Sequence, residues 1–109
     1  LSGDDALTLP FMSVGAQGVI SVASNILPKQ LTKMVHSYLK GDQKGALKLH
    51  EKYYPLFKDL FIETNPVPVK SALAMKGLVK EEYRLPLVKL NPDNRRQLRA
   101  TLKASGVIK

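Results

Sequence analysis

Lys70 is the residue in this sequence best suited to covalent chemistry. It ends the run Asn65-Pro66-Val67-Pro68-Val69-Lys70, with Leu73 one helical turn further on. An amine desolvated among apolar neighbours has a depressed pKa and can attack a carbonyl at neutral pH. No Tyr or carboxylate lies within a few residues to relay the proton, so the commoner arrangement is expected, with the stem packed and the ammonium in solvent. His36 and His50 fall on different expected helices and no third ligand stands at metal spacing, so no metal site is expected. Asp4 and Asp5 are adjacent carboxylates that point different ways, and capping a helix start is sufficient work for them. Tyr53 and Tyr54, at helical spacing with Phe57 and Phe61, read as core or interface. Arg95, Arg99 and Lys103 share one face of an expected helix, with Arg96 beside them. That face is the best nucleic-acid signal in the chain, yet it lacks interleaved aromatics and reads as a solvated surface. With no cysteine there is no disulfide, thiolate metal site or cysteine nucleophile, a composition that fits a reducing cytoplasm.

These residues are carried by 109 amino acids, of which 44% are hydrophobic and 24% charged, an ordinary globular balance for one domain at most. Seventeen Lys and Arg against nine Asp and Glu give a formal charge of +8. The first 27 residues carry only Asp4 and Asp5, so every basic group lies beyond them. Such a basic portion either binds polyanions or is the solvated shell of a core completed elsewhere. From Ala6 to Pro28 no side chain is charged, a length that could span a bilayer. Pro10, two glycines and Thr8, Ser13, Gln17, Ser21, Ser24 and Asn25 argue instead for two short buried elements joined by a glycine turn, and no membrane span is expected. The chain opens on Leu1, without a basic stretch before an apolar one, as expected of an internal start with no signal peptide.

The elements follow from local signals. A short helix is expected over Ala6–Val14, strained by Pro10 and ended by Gly15. Gly18-Val19-Ile20-Ser21-Val22 reads as a parallel strand covered on both faces. A second helix is expected from Ser24 or Asn25, with Leu27, Leu31, Met34, Val35 and Tyr38 on its apolar face, to a cap at Gly41. Asp42 should cap a long third helix that packs through Ala46, Leu49, His50, Tyr53, Phe57, Leu60 and Phe61 and is kinked by Pro55. The Asn65–Pro68 run breaks the chain. A fourth helix is expected over Val69–Met75, closed by Gly77, then an extended connector at Leu85-Pro86-Leu87. Asn91-Pro92 starts a last helix that runs to about Ser105. One strand, with the tail of another, cannot satisfy its own backbone, so these residues are expected to belong to a larger sheet protein.

Four motifs in order, Ser2-Gly3-Asp4-Asp5, Gly18-Val19-Ile20-Ser21-Val22, Asn65-Pro66-Val67-Pro68-Val69-Lys70 and Arg84-Leu85-Pro86-Leu87, resemble the dihydrodipicolinate synthase family. The resemblance covers the chain from end to end. Ala16, where a second glycine is common, and Val88-Lys89, in place of Thr-Pro, are its departures. It implies an α/β fold, the C-terminal part of a (β/α)8 TIM barrel with strands seven and eight and their helices in residues 1–41, and a C-terminal helical extension in residues 42–109. It also implies a pyruvate-dependent lyase that condenses pyruvate with aspartate semialdehyde through a Schiff base, as a cytoplasmic homotetramer without a cofactor. The family's Schiff-base lysine, its Tyr motif and its Thr pair are absent from these residues, so no catalytic side chain is expected here and the fragment alone should be inactive. Two substrate contacts remain by resemblance, both through main-chain carbonyls: Gly3, just past strand seven, and Ile20, in strand eight. On residue type alone they are a turn glycine and a core isoleucine.

Three functions stay open at this point. They are the C-terminal part of a lysine-biosynthetic aldolase, a basic helical module binding nucleic acid, and a related pyruvate-dependent lyase acting on a sugar acid.

Overall fold

A computed structural model describes residues 1–109. Its regular structure is helical: α1 (Thr8–Ser13), α2 (Pro28–Leu39), α3 (Gln43–Asp59), α4 (Val67–Met75) and α5 (Pro92–Ala104), with single 3-10 turns at Asp5–Leu7 and Ala23–Asn25. The expected strand at Gly18–Val22 does not form as an extended element. One parallel bridge joins Ser2 to Val19, where Ser2 N–H donates to Gly18 O at 2.8 Å and Ile20 N–H to Ser2 O at 2.9 Å. Two short segments paired only with each other leave their outer edges unpaired, and an isolated two-stranded pairing is marginal; here it stops at one bridge.

The helix boundaries are set by caps and prolines. α1 starts two residues later than expected, which puts Pro10 in its first turn; the N–H that proline lacks has no intrahelical partner there, so the strain expected of Pro10 does not arise. α2 begins at Pro28 rather than at Ser24 or Asn25. Leu27, the residue before that proline, is held out of the helical region at φ −128° and ψ 50°. Asp42 caps α3, accepting from Gly45 N–H at 2.9 Å, and α3 continues through Pro55 to Asp59. α4 starts at Val67 instead of Val69, with Pro68 in its first turn. The expected extended connector at Leu85-Pro86-Leu87 is a turn, with a cis Leu85–Pro86 peptide and Leu87 N–H donating to Arg84 O at 3.0 Å. Asn91 caps α5 through Asp93 N–H at 2.8 Å.

α2 packs along α3, and α5 bridges α3 and α4. A single cluster of 18 buried apolar residues runs from Leu9 to Leu102. The buried stripe of α3 and its C-cap is Ala46, Tyr53, Leu56, Phe57 and Leu60. Phe61, expected in that stripe, is 47% exposed. The helix ends at Asp59, and Phe61 N–H turns back onto Lys58 O, which swings the side chain off the helical phase. Leu56 is fully buried in its place. Leu1 and Ile20, which flank the bridged residues Ser2 and Val19, are 80% and 73% exposed, an apolar edge at the single bridge. No helix is long and apolar enough to cross a membrane.

Candidate functional site

The two residues expected to touch a ligand lie at the bridge. Ser2 is bonded through both main-chain groups to the facing segment, and its hydroxyl donates to Asp4 O at 2.8 Å while accepting from Asp4 N–H at 3.1 Å. Gly3 therefore sits between two anchored residues. An added Cβ at Gly3 would meet nothing within 4 Å. Ile20 is not the core residue its type suggests; its side chain is mostly exposed. The carbonyl oxygens of Gly3 and Ile20 accept no hydrogen bond within the chain.

Asp4 and Asp5 divide their work. Asp4 caps the 3-10 turn, accepting from Leu7 N–H at 3.1 Å. Asp5 is 1% exposed and reaches across to the other segment. Its Oδ1 accepts from the Ser21 hydroxyl, and its Oδ2 from Val22 N–H at 3.1 Å and Ala23 N–H at 2.9 Å. A buried carboxylate with three donors is satisfied, as burial requires. Residue spacing gives no sign of this link, because its partners lie 16 to 18 positions away.

A second polar cluster joins α4, α5 and the loop between them. Arg95 Nη1 lies 2.8 Å from both carboxylate oxygens of Glu81 and donates to Ser71 Oγ at 3.0 Å. The Tyr83 hydroxyl donates to Glu81 at 3.2 Å. Burial acts to raise the Glu81 carboxyl, but the hydrogen bond and charge of Arg95, with help from Tyr83 and Ser71, hold it below its ordinary value. Burial first, and then the Glu81 charge, push the Tyr83 phenol up to about 12. The expected basic face is thus incomplete: Arg95 turns inward to a carboxylate, and Arg96 pairs with Asp93 on the surface. Two further carboxylates tie α5 down. Asp59 accepts from Gln97 and Thr101, and Glu63 accepts from Asn91 N–H and Asn94 Nδ2, each at 2.9 Å.

Lys70 is half-buried on α4, its Nζ 5.6 Å from the centre of the Tyr83 ring, in a cation–π arrangement. His36 is exposed. His50 packs beside Tyr54 and Phe57, at 5.4 and 6.2 Å between ring centres; burial lowers its pKa against the opposing charge of Glu51. No three His, Asp or Glu side chains converge as cation ligands.

The bridge site and the helical appendix have close counterparts among known proteins. Residues 1–105 match the dihydrodipicolinate synthetase family. The 4-hydroxy-tetrahydrodipicolinate synthase of Aquifex aeolicus is 50% identical over 94% of this chain, and that of Persephonella marina is 51% identical over all of it. The solved 4-hydroxy-tetrahydrodipicolinate synthase of Methylacidiphilum fumariolicum SolV superposes with a TM-score of 0.96 at 58% identity, over 97% of this chain and 35% of that one. The chain spans 35% and 38% of the length of the Aquifex and Persephonella relatives. With the four motifs in order and the match running nearly end to end, the chain belongs to the dihydrodipicolinate synthetase family.

Proposed function

We propose that residues 1–109 are the C-terminal part of a 4-hydroxy-tetrahydrodipicolinate synthase, a pyruvate-dependent class I aldolase-type lyase of lysine biosynthesis. The observation that carries this reading is identity of about one half to synthases over essentially the whole chain. In this reading residues 1–41 are strands seven and eight of a (β/α)8 barrel with their helices, and residues 42–109 are the helical extension. The single parallel bridge and the exposed Leu1 and Ile20 beside it support a sheet continued by residues outside this chain. A cytoplasmic homo-oligomer with no cofactor is proposed for the whole protein.

The chemistry divides accordingly. A lysine outside this chain attacks the pyruvate ketone and loses water to form an imine, whose enamine adds to the aldehyde of aspartate semialdehyde. This chain supplies no acid, base or nucleophile to that sequence. Its part is to place the Gly3 and Ile20 carbonyls at the C-terminal face of the barrel, where substrates bind. Gly3 suits that position because it has no Cβ to keep a ligand away from its backbone.

The test is a chimera in which residues 1–109 replace the matching part of the Aquifex synthase. Consumption of pyruvate should require both aspartate semialdehyde and the joined chain. A folded chimera that does not turn over, or turnover by residues 1–109 alone, would contradict the proposal. Sugar acids offered with pyruvate in the same assay test the related-lyase reading.

A further inference from the structure

We infer that Asp5 is a positioning residue that holds both substrate-facing carbonyls in register, an inference that rests on the function proposed above. The peptide groups carrying those carbonyls lie on different segments. Ile20 is tied on its N-terminal side by its own N–H to Ser2 O at 2.9 Å. On its C-terminal side the next residues are held by one side chain, because the Ser21 hydroxyl, Val22 N–H and Ala23 N–H all donate to Asp5. Gly3 is flanked in the same way, by Ser2, which is bonded to Gly18 and Ile20, and by Asp4 and Asp5. Asp5 is thus the one side chain that stands two residues after the first carbonyl and grips the chain directly after the second.

Ala23 and Ile26 are buried in the core, but Asp5 is the side chain whose hydrogen bonds tie the turn after Ile20 to the Gly3 segment. Ser21 Oγ accepts from Ser24 N–H at 2.8 Å and Ser24 Oγ donates to Ser21 O at 2.8 Å, bonds that stiffen the turn internally without linking it to Gly3. Asp5 itself is 1% exposed and both its oxygens are engaged, so it has no free face to offer a substrate. Carbonyls that must meet a small keto acid lose their value when they shift by about 1 Å, a displacement that can cost around a hundredfold in rate.

The experiment uses the chimera with the Aquifex synthase, comparing Asp5→Asn, Ser21→Ala and Asp42→Ala. Asp42 caps α3, takes no part in the hydrogen bonds of the bridge, and serves as the control for lost stability. Asp5→Asn should lower kcat/KM for pyruvate about tenfold or more and slow borohydride trapping of the pyruvyl imine, while KM for aspartate semialdehyde stays within about twofold of the unsubstituted chimera. Ser21→Ala, which removes one of three donors, should fall between the two. Asp42→Ala should lower the melting temperature and leave kcat/KM unchanged. If Asp5→Asn does not fold, Ser21→Ala carries the test, and a value within twofold of the unsubstituted chimera overturns the inference. If Asp5→Asn folds and keeps full kcat/KM, the inference is wrong while the proposed function stands. A folded but inactive unsubstituted chimera overturns the proposed function, and the inference with it.

Discussion

Arg95 and Glu81 form the tightest side-chain link between α5 and the loop that follows α4, with Nη1 2.8 Å from each carboxylate oxygen. Glu81 is well covered and Arg95 partly so, and Ser71 and Tyr83 complete the hydrogen bonding. This pair contributes to the acid stability of the helical part. The folded-state pKa of Glu81 lies below its ordinary 4.5, so the unfolded chain binds the proton more readily. The stabilisation is present above pH 4.5 and is lost as pH falls through the folded value. Glu81→Gln should therefore cost about 1.5–3 kcal/mol at pH 7, the range for a hydrogen bond to a charged group. In urea unfolding the gap should close toward pH 3. A gap that is constant from pH 7 to pH 3 would contradict the assignment.

His50 gives a second and separate pH dependence. Its pKa is lowered mainly by burial, and its Nδ1 is buried without a partner. Protonation favours the unfolded chain, so stability is complete above pH 6.5 and declines as pH falls through the lower folded value. His50→Leu should flatten the stability profile between pH 7 and pH 5 without changing the Glu81 transition below it. An unchanged slope in that window would show that the imidazole is solvated.

Phe57 is 1% exposed in the centre of the core. Phe57→Ala should cost roughly 3–5 kcal/mol, as expected for loss of a buried aromatic, measured by denaturant midpoint. A loss under about 1 kcal/mol would place Phe57 at the surface and shift the phase of α3. Phe61→Ala, at a side chain 47% exposed, should cost much less.

Gly3 separates a turn glycine from a ligand-facing one. An added methyl meets nothing in this chain, so Gly3→Ala should change the stability of residues 1–109 by no more than about 0.5 kcal/mol. In the chimera the proposed contact of Gly3 with pyruvate puts the same methyl in the ligand's path, and kcat/KM should fall. Full activity in Gly3→Ala would remove Gly3 from the site.

Local signals were enough for the parts of the fold that local chemistry determines. Asp42, Asn91-Pro92, Gly77 and Gly106 marked helix ends where the structure has them, because caps and positive-φ glycines act within a few residues. The strand expected at Gly18–Val22 shrank to one bridge, since a strand is a property of its neighbours as much as of its own β-branched run. Helical periodicity places Arg95 on a solvated face because it is blind to Glu81 on a separate loop. Asp5 was read as a cap for the same reason: its three donors follow a turn more than a dozen residues on. Gly3 and Ile20 stand as proposed ligand contacts through family resemblance alone, because a main-chain contact leaves no mark in residue type.

The central claim is that this chain shapes a pyruvate site without supplying its nucleophile. Lys70 is the one internal rival, and its surroundings disfavour it. Tyr83, pushed up to about 12, keeps its proton at neutral pH and cannot serve as a base, and Glu81 is committed to Arg95. Incubation with pyruvate and borohydride, followed by peptide mass spectrometry, tests the claim directly. Residues 1–109 alone should carry no pyruvyl adduct, and the chimera should carry one on a lysine outside these residues. A stable adduct mapped to Lys70 would contradict the account.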